Sequence, residues 1–236
     1  MTRIYSDFTG AETKQLLDRI ADRATSPDDY KQAMLSLGRN LGDVLLAKID
    51  PQRSRVYLAA TVEDADFLAQ GILERLEAKV SHLDFACFWN QREVFDDLKL
   101  TVAPILKKYQ EPTTEQVNYL IVVKSVIFGA CVVRTNLENL IQKIDPQEIL
   151  IVAPVIYHHA KQSLAESFNP DLANKFQFFY FAEDDCCNEQ GELIPGIGGS
   201  IYNRLGFAGQ EEKNQYLPQL VKTRRDRIVK QRQLIH

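Results

Sequence analysis

Five short runs of apolar and β-branched residues constrain the fold of this chain more than any other feature of its sequence. Each run has the length and composition of a strand that is buried on both faces. Stretches with helical spacing separate most of them, and this alternation predicts an α/β fold with a mainly parallel sheet flanked by helices. The predicted strands cover 54–61, 81–90, 118–126, 148–156 and 175–184; the predicted helices cover 11–24, 28–48, 62–79, 131–143 and 157–168.

The sequence divides into three predicted regions. The predicted regions are N-terminal helices packed on the core at 1–50, an α/β domain at 51–207, and a basic helical C-terminal extension at 208–236. Within the α/β domain, the polar segment 91–117 contains two prolines and interrupts the alternation. We expect this segment to leave the sheet as a hood or flap.

The C-terminal extension differs in charge from the rest of the chain. Six basic residues and one acidic residue lie in 217–236, which gives this segment a net charge of +5 and leaves −9 for the remainder. Its apolar residues share one helical face: Leu217, Leu220, Val221, Ile228 and Val229. Two interpretations stay open. The helix docks on its own domain or on a dimer mate, or it binds an acidic protein partner, nucleic acid or an anionic membrane surface.

Composition predicts a cytoplasmic protein. No apolar run approaches the roughly 18 residues of a membrane helix, so no transmembrane segment is predicted, and the first ten residues show no leader-like apolar stretch. The four cysteines lack the CxxC spacing, which favours a reducing compartment. His158 and His159 are adjacent and therefore point to different faces, so no metal-ligating residue is predicted.

Ligands of parallel α/β sheets bind where strands end and helices begin, so these turns are where function is sought. After the first predicted strand, Thr61 and Asp64 have the spacing of a helix start, and Glu63 lies between them. Carboxylates in a first helical turn complement the helix dipole. They also suit a magnesium ion or a sugar hydroxyl, and both interpretations stay open.

The turn after the third predicted strand is a poor phosphate cradle. A cradle needs several small residues that turn backbone N–H groups inward, usually with a hydroxyl nearby. Here Lys124 and Ser125 end the strand, and the loop that follows offers Gly129, Ala130 and Cys131. Lys124 could attract a phosphate as a point charge, or it could form a simple ion pair.

Glycines and a proline crowd the segment 188–207. The pattern N-E-x-G-x-x-I-P-G-I-G at 188–198, followed by Gly206-Phe207, resembles the base-binding loop of the uracil phosphoribosyltransferase family. The resemblance covers roughly 28–207 and implies a type I phosphoribosyltransferase fold, in which uracil and 5-phosphoribosyl-1-pyrophosphate with magnesium give UMP and pyrophosphate. By this resemblance, the residues that would contact the base are Leu193, Ile194, Pro195, Gly196 and Gly198.

The segments that hold the phosphorylated sugar in that family depart from its pattern. Lys124 stands where the family has an acid that accepts bonds from ribose hydroxyls, and 129–132 replaces a Thr-Gly-Gly-Ser loop with residues that lack a hydroxyl. Glu63 and Asp64 replace the cation of an Arg-Ala-Gly turn for pyrophosphate, and 199–202 lacks both acids of an Asp-Ala-Gly-Asp segment.

These departures favour a relative of the family that has lost catalysis and acts as a binding, regulatory or protein-interaction module. No catalytic residue is assigned, a nucleotide-like effector is one ligand that the loop suits, and magnesium is expected only with bound 5-phosphoribosyl-1-pyrophosphate. The alternative is an active phosphoribosyltransferase that handles its phosphates differently. Family resemblance also implies a homodimer or higher homo-oligomer.

Overall fold

The structure, a computed structural model, describes residues 2–95, 97, 100–113, 116–189, 192–198 and 201–233. Its strands are β1 (Arg3–Tyr5), β2 (Arg55–Thr61), β3 (His82–Asn90), β4 (Glu93–Phe95), β5 (Leu100–Val102), β6 (Ile105–Gln110), β7 (Gln116–Val123), β8 (Val126–Ile127), β9 (Asp145–Tyr157), β10 (Phe176–Asp184), β11 (Cys186–Cys187) and β12 (Leu193–Ile194). Its helices are α1 (Ala11–Ala21), α2 (Pro27–Lys48), α3 (Val62–Asp64), a π-helical segment (Ala65–Ala69), α4 (Gln70–Leu76), α5 (Cys131–Ile141), α6 (Ala160–Glu166), α7 (Pro170–Ala173), α8 (Ile201–Arg204), α9 (Gln210–Gln215) and α10 (Gln219–Gln233).

The central sheet has the order β1-β10-β9-β7-β2-β3-β6, and β8 also pairs with β9. Strands β2, β3, β7, β9 and β10 are parallel, whereas β1 and β6 run antiparallel at the two edges. All five predicted strands are therefore present, and the predicted mainly parallel α/β fold is confirmed. The long apolar runs have this outcome because each of the five strands is covered on both faces.

Helices cover both faces of the sheet and divide the core into two clusters. One cluster packs α1, α2 and the helix after β2 against the sheet, with Leu37 and Ile72 among its buried residues. The other packs α5 and α6 on the opposite face, with Leu137 and Leu164 among its buried residues. The apolar stripes of these helices are the sequence signal that placed them.

Two glycines bring α2 and the helix after β2 into close contact. A Cβ atom at Gly38 would lie 2.2 Å from the carbonyl oxygen of Leu68, and a Cβ at Gly71 would lie 2.2 Å from that of Leu35. Any side chain at either position would force the helices apart. This contact holds the first turn after β2, where the acidic residues lie, against the rest of the domain.

The expectation that 91–117 leaves the sheet is wrong for β6 and for the start of β7. Strand β6 joins the sheet as the antiparallel neighbour of β3, with a bulge between Trp89 and Asn90, while β4 and β5 form a separate hairpin. Pro104 and Pro112 flank β6, and prolines at these flanks are compatible with an edge strand. The polar composition of β6 reflects its place at the edge, where lysines also discourage pairing with other chains.

The C-terminal extension packs on the domain through α9 and the first half of α10. Asp66 accepts hydrogen bonds from the backbone N–H groups of Gln219 and Leu220, both at 2.8 Å, and so caps α10 from another helix. Arg224 is buried and donates two hydrogen bonds to the Glu111 carboxylate, each at 2.7 Å. Docking on its own domain is therefore what this half of the helix does.

No helix in the described part of the chain has the length and hydropathy that a membrane crossing requires.

Candidate functional site

The strand order locates the candidate site before any side chain is considered. Strand β2 has β3 on one side and β7 on the other, so the chain reverses its direction of winding between β2 and β7. In open parallel sheets, ligands bind at this switch point, beyond the carboxyl ends of the strands. Two of the turns that the sequence singled out lie there: 62–64 follows β2, and Lys124 follows β7.

These two turns meet in a buried ion cluster. The Nζ of Lys124 lies 2.8 Å from Oδ2 of Asp64 and 3.2 Å from Oε1 of Glu63. All three side chains are at least nine-tenths buried. Thr61 donates its hydroxyl to Asp64 at 2.7 Å, and Lys124 also reaches the hydroxyl of Ser125 at 3.3 Å. Of the two interpretations of Lys124, the structure shows the ion pair.

The sequence suggested that Thr61 begins the helix as a cap. The side chain of Thr61 makes no hydrogen bond to the backbone of that helix and instead orients the Asp64 carboxylate. Oδ1 of Asp64 and Oε2 of Glu63 are buried and accept no hydrogen bond from any described residue. The cluster is sensitive to the loss of a cation, because such a loss leaves a buried carboxylate without its charged partner.

A second lysine, Lys213 on α9, completes the cluster. Its Nζ lies 3.9 Å from Oε2 of Glu63 and donates a hydrogen bond to the carbonyl oxygen of Asn90. The side chain of Lys213 is only 1% exposed. We use "ion cluster" for Glu63, Asp64, Lys124 and Lys213, in which two buried acids balance two buried amines.

Charge and burial compete at every member whose pKa shifts. Burial raises the pKa of Glu63, but Lys124 and then Lys213 outweigh it, so the pKa lies below its usual value. Burial lowers the pKa of Lys124, but Asp64 and Glu63 more than offset this, so the pKa is raised. Burial dominates at Lys213, whose pKa is lowered despite the adjacent acids. The two lysines therefore differ in how firmly they hold their protons.

A cavity of about 150 Å³ opens beside the ion cluster. Its lining includes Glu63, Lys124, Asn90, Arg92, Tyr202 and the segment 126–133. We call this cavity the cleft. Burial, and then the charge of Glu63, raises the pKa of Tyr202 to about 12, so its hydroxyl is protonated at neutral pH and can donate a hydrogen bond.

Helix α5 begins at the wall of the cleft. Ala130 precedes it in the left-handed conformation, with φ of 55°, and its methyl side chain provides no acceptor for the first-turn N–H groups. Cys131 occupies the first helical position and also lines the cleft, as does Gly129. Uncapped N–H groups at a helix start are favourable partners for an anion. The sequence predicts a poor phosphate cradle at this turn because the turn lacks the glycines and hydroxyls of a phosphate loop.

The loop 192–198 is held by hydrogen bonds within the chain. The N–H of Gly196 donates to Oδ2 of Asp184, and its carbonyl accepts from Arg3 of β1, each at 2.8 Å. Gly196 has φ of 59°, and Gly198, with φ of 83°, packs against the carbonyl oxygens that end α1. Leu193 is buried, and the Ile194–Pro195 bond is cis. Whether these residues contact a base stays a prediction; Gly191, Gly199 and Ser200 lie outside the described residues.

Several site residues have no recognisable signal in the sequence. Lys213 lies in the polar run Gln-Glu-Glu-Lys-Asn, which resembles a solvated helix, and Arg92 lies in the segment expected to be a hood. Arg3 belongs to β1, a strand of three residues that no pattern announced. The one relevant signal in the sequence is charge: the C-terminal extension is basic and the rest of the chain is acidic, which favours contact between them.

Comparison with solved structures places the fold among known proteins. The chain is similar to AQ2163 from Aquifex aeolicus, with a TM-score of 0.66 and 14% identity over 87% of this chain and 99% of that one. Weaker likenesses are to a hypoxanthine-guanine phosphoribosyltransferase from Bacillus anthracis (TM-score 0.40, 11% identity, 68% of this chain and 75% of that one) and to a Neisseria gonorrhoeae protein with bound ppGpp (TM-score 0.41, 14% identity, 75% and 91%). No family model and no curated relative matches the sequence. At 14% identity, the likeness to AQ2163 concerns the fold alone.

Proposed function

We propose that this chain is a phosphoribosyltransferase-like protein that binds a phosphorylated, nucleotide-like ligand in the cleft and does not transfer a phosphoribosyl group. The observation that carries the proposal is the position of Lys124. Its Nζ bridges the carboxylates of Asp64 and Glu63 at the switch point of the sheet. The groups that would handle a phosphorylated sugar by resemblance are thus engaged with one another.

The donors and acceptors in the two turns do not suit phosphoribosyl transfer. By resemblance, the turn after β7 accepts hydrogen bonds from ribose hydroxyls, but an ammonium group has no lone pair to accept them. The turn after β2 would face pyrophosphate, and there Glu63 and Asp64 add negative charge. Among the described residues, no three acidic, histidine or cysteine side chains are placed to hold a metal ion. Magnesium stays expected only together with bound 5-phosphoribosyl-1-pyrophosphate.

The start of α5 supports the binding of an anion. An uncapped helix start carries partial positive charge, and Arg92 and Lys124 line the same cleft. Oε2 of Glu63, buried and without a hydrogen bond among the described residues, is an acceptor for a hydroxyl or amine of the same ligand. A phosphate at α5 with a donor group beside it is the chemistry of a phosphorylated sugar or nucleotide.

Calorimetric titration tests the proposal with four probes: UMP, UTP, uracil, and 5-phosphoribosyl-1-pyrophosphate with magnesium. We expect UMP or UTP to bind and no UMP to form from uracil. The informative variant is Cys131→Asp, because an acid in the first turn of α5 favours the helix but repels a phosphate. Cys131→Ser is the neutral control, with nearly the same size.

Each outcome decides one part of the proposal. Binding that survives Cys131→Ser and is lost in Cys131→Asp, with unfolding free energy unchanged or higher, supports the anion site at α5. Absence of binding by all four probes overturns the proposed ligand class. Turnover of uracil to UMP overturns the loss of catalysis and establishes an active phosphoribosyltransferase instead.

The homo-oligomer and the partner of the basic extension stay proposals. Beyond Arg224, most of α10 is exposed, including Arg225 and Arg227, and this face suits an acidic partner. Sedimentation of the purified protein at several concentrations tests self-association. A monomer at every concentration would contradict the predicted homo-oligomer. The cytoplasmic location likewise stays a prediction.

A further inference from the structure

The C-terminal extension reaches the candidate site directly. Lys213 of α9 is among the largest fully buried side chains of the protein. Its ammonium group lies 3.9 Å from Oε2 of Glu63, whereas Lys124 pairs with the other oxygen of that carboxylate, Oε1. It also lies 5.1 Å from the centre of the Tyr202 ring. Both Glu63 and Tyr202 line the cleft.

The charges of the cluster balance only if the extension is counted. Glu63 and Asp64 contribute two negative charges, and Lys124 alone leaves one of them uncompensated. An uncompensated buried carboxylate is costly and would also repel an anion in the cleft. Lys213 brings the cluster to neutrality, which leaves the start of α5 and Arg92 as the groups that an anion meets.

The extension is fixed to the same part of the domain by several other contacts. Trp89 donates its indole N–H to the carbonyl of Tyr216 at 2.9 Å, and Tyr216 donates its hydroxyl to Asp66, two residues after Asp64. The side chain of Gln210 accepts a hydrogen bond from the N–H of Arg92 and donates one to the Arg92 carbonyl at 3.2 Å. Arg92 is itself part of the cleft wall.

We propose that the C-terminal extension completes the ligand site, and that Lys213 is the residue that balances the charge of Glu63 so that the cleft accepts an anion. The part of this proposal that concerns the anion rests on the proposed function. The charge balance does not, because it concerns groups that are together without a ligand. Lys213 is a positioning residue here, since it acts through Glu63.

A double-mutant cycle tests the charge balance. Lys213→Met and Glu63→Gln each leave the buried cluster with one unbalanced charge, whereas the double variant is neutral again. We expect each single variant to unfold at lower urea concentration than the wild type, and the double variant to recover more than half of the larger loss. Lys230→Met is the matched control, because it removes an exposed lysine of the same extension.

Binding of UMP in the same set of variants tests the effect on the anion. Because coupled neighbours typically change an equilibrium by a factor of about 2 to 150, we expect Lys213→Met to weaken UMP binding on the order of tenfold. The double variant should regain affinity, and Lys230→Met should leave it unchanged. If Lys213 had a purely structural role, the double variant would bind UMP as weakly as Lys213→Met does.

The two experiments distinguish a failure of the charge balance from a failure of the proposed function. Additive losses of stability in the cycle overturn the charge balance, whatever binds. Coupled stability together with unchanged UMP affinity in Lys213→Met overturns the effect on the anion. Coupled stability with no binding of any nucleotide by the wild type leaves Lys213 as the partner of Glu63 and overturns the proposed function and the part of this inference that depends on it.

Discussion

Replacing Lys124 with methionine removes the cation that bridges both acids of the ion cluster. Its Nζ lies 2.8 Å and 3.2 Å from the two carboxylates. At an effective dielectric of about 20, each contact has a gross attraction of roughly 5 kcal/mol, part of which is offset by burying the ammonium group. Removing one partner of a buried ion pair typically costs about 3–5 kcal/mol, and we expect a loss in this range at pH 7.

An independent estimate gives the same magnitude. Without Lys124, Asp64 keeps no cation among the described residues, because Lys213 contacts only Glu63, and we expect one carboxylate to become protonated. In Lys213→Met, by contrast, Lys124 still contacts both acids and both stay ionised. Neutralising a carboxyl with an ordinary pKa of about 4.1 at pH 7 costs about 4 kcal/mol. The folded-state pKa of that carboxyl lies above its unfolded value. Keeping the carboxyl protonated in the folded protein therefore costs more free energy as the pH rises. The deficit of Lys124→Met should therefore shrink by about 1.4 kcal/mol per pH unit between pH 7 and about pH 5.

Urea unfolding at pH 5, 6 and 7 measures both quantities. Lys230→Met serves as the exposed control and should stay within about 0.5 kcal/mol of the wild type. In Lys124→Met with Asp64→Asn, Glu63 keeps Lys213 as its partner, so most of the loss should be recovered. This variant also keeps the test readable if the single variant does not fold. A loss below about 1 kcal/mol at pH 7, or one that is independent of pH, would refute the reasoning.

Three further substitutions test other parts of the structure. Arg224→Met should cost about 3–5 kcal/mol in urea unfolding because it strands the buried Glu111 carboxylate; a surface-like effect under about 0.5 kcal/mol would contradict the buried pair. Gly38→Ala should cost about 1–3 kcal/mol, seen as a lower melting temperature, because its Cβ would meet the carbonyl oxygen of Leu68; an unchanged melt would mean that the helices separate freely. Asp66→Ala should cost about 1 kcal/mol and speed amide exchange in the first turn of α10, whereas unchanged exchange would exclude the cap.

The five parallel strands could be predicted because strands that are buried on both faces consist of consecutive apolar residues. Strand β6 could not, since an edge strand needs no such run and its polar residues resemble those of a loop. Lys213 could not either, because a buried lysine is rare and its burial depends on contacts with Asn90 and Glu63 that sequence spacing does not encode. The proximity of the turns after β2 and β7 follows from the strand order, which was not predicted from the sequence.

The charged residues of the turns after β2 and β7 have to be interpreted as a pair. In the sequence, the acids at 62–64 and the lysine at 124 count as two separate departures from the phosphoribosyltransferase pattern. In the structure, Lys124 and Asp64 are 2.8 Å apart, so they form one interaction. By resemblance, the turn after β2 carries a cation and the turn after β7 an acid, and here both signs are reversed.

Reversal of one sign alone would place like charges within about 3 Å of each other, which costs several kcal/mol in a buried setting. Reversal of both keeps the attraction across the switch point. The two departures are thus coupled, and they count once as evidence against catalysis. The geometric reason is that a phosphorylated sugar would have to separate the ion pair that joins the two turns. A ligand at the start of α5 need not, because the first turn of that helix lies outside the pair. The proposed absence of transfer therefore rests on the contact between Lys124 and Asp64, whereas the proposed binding rests on the start of α5.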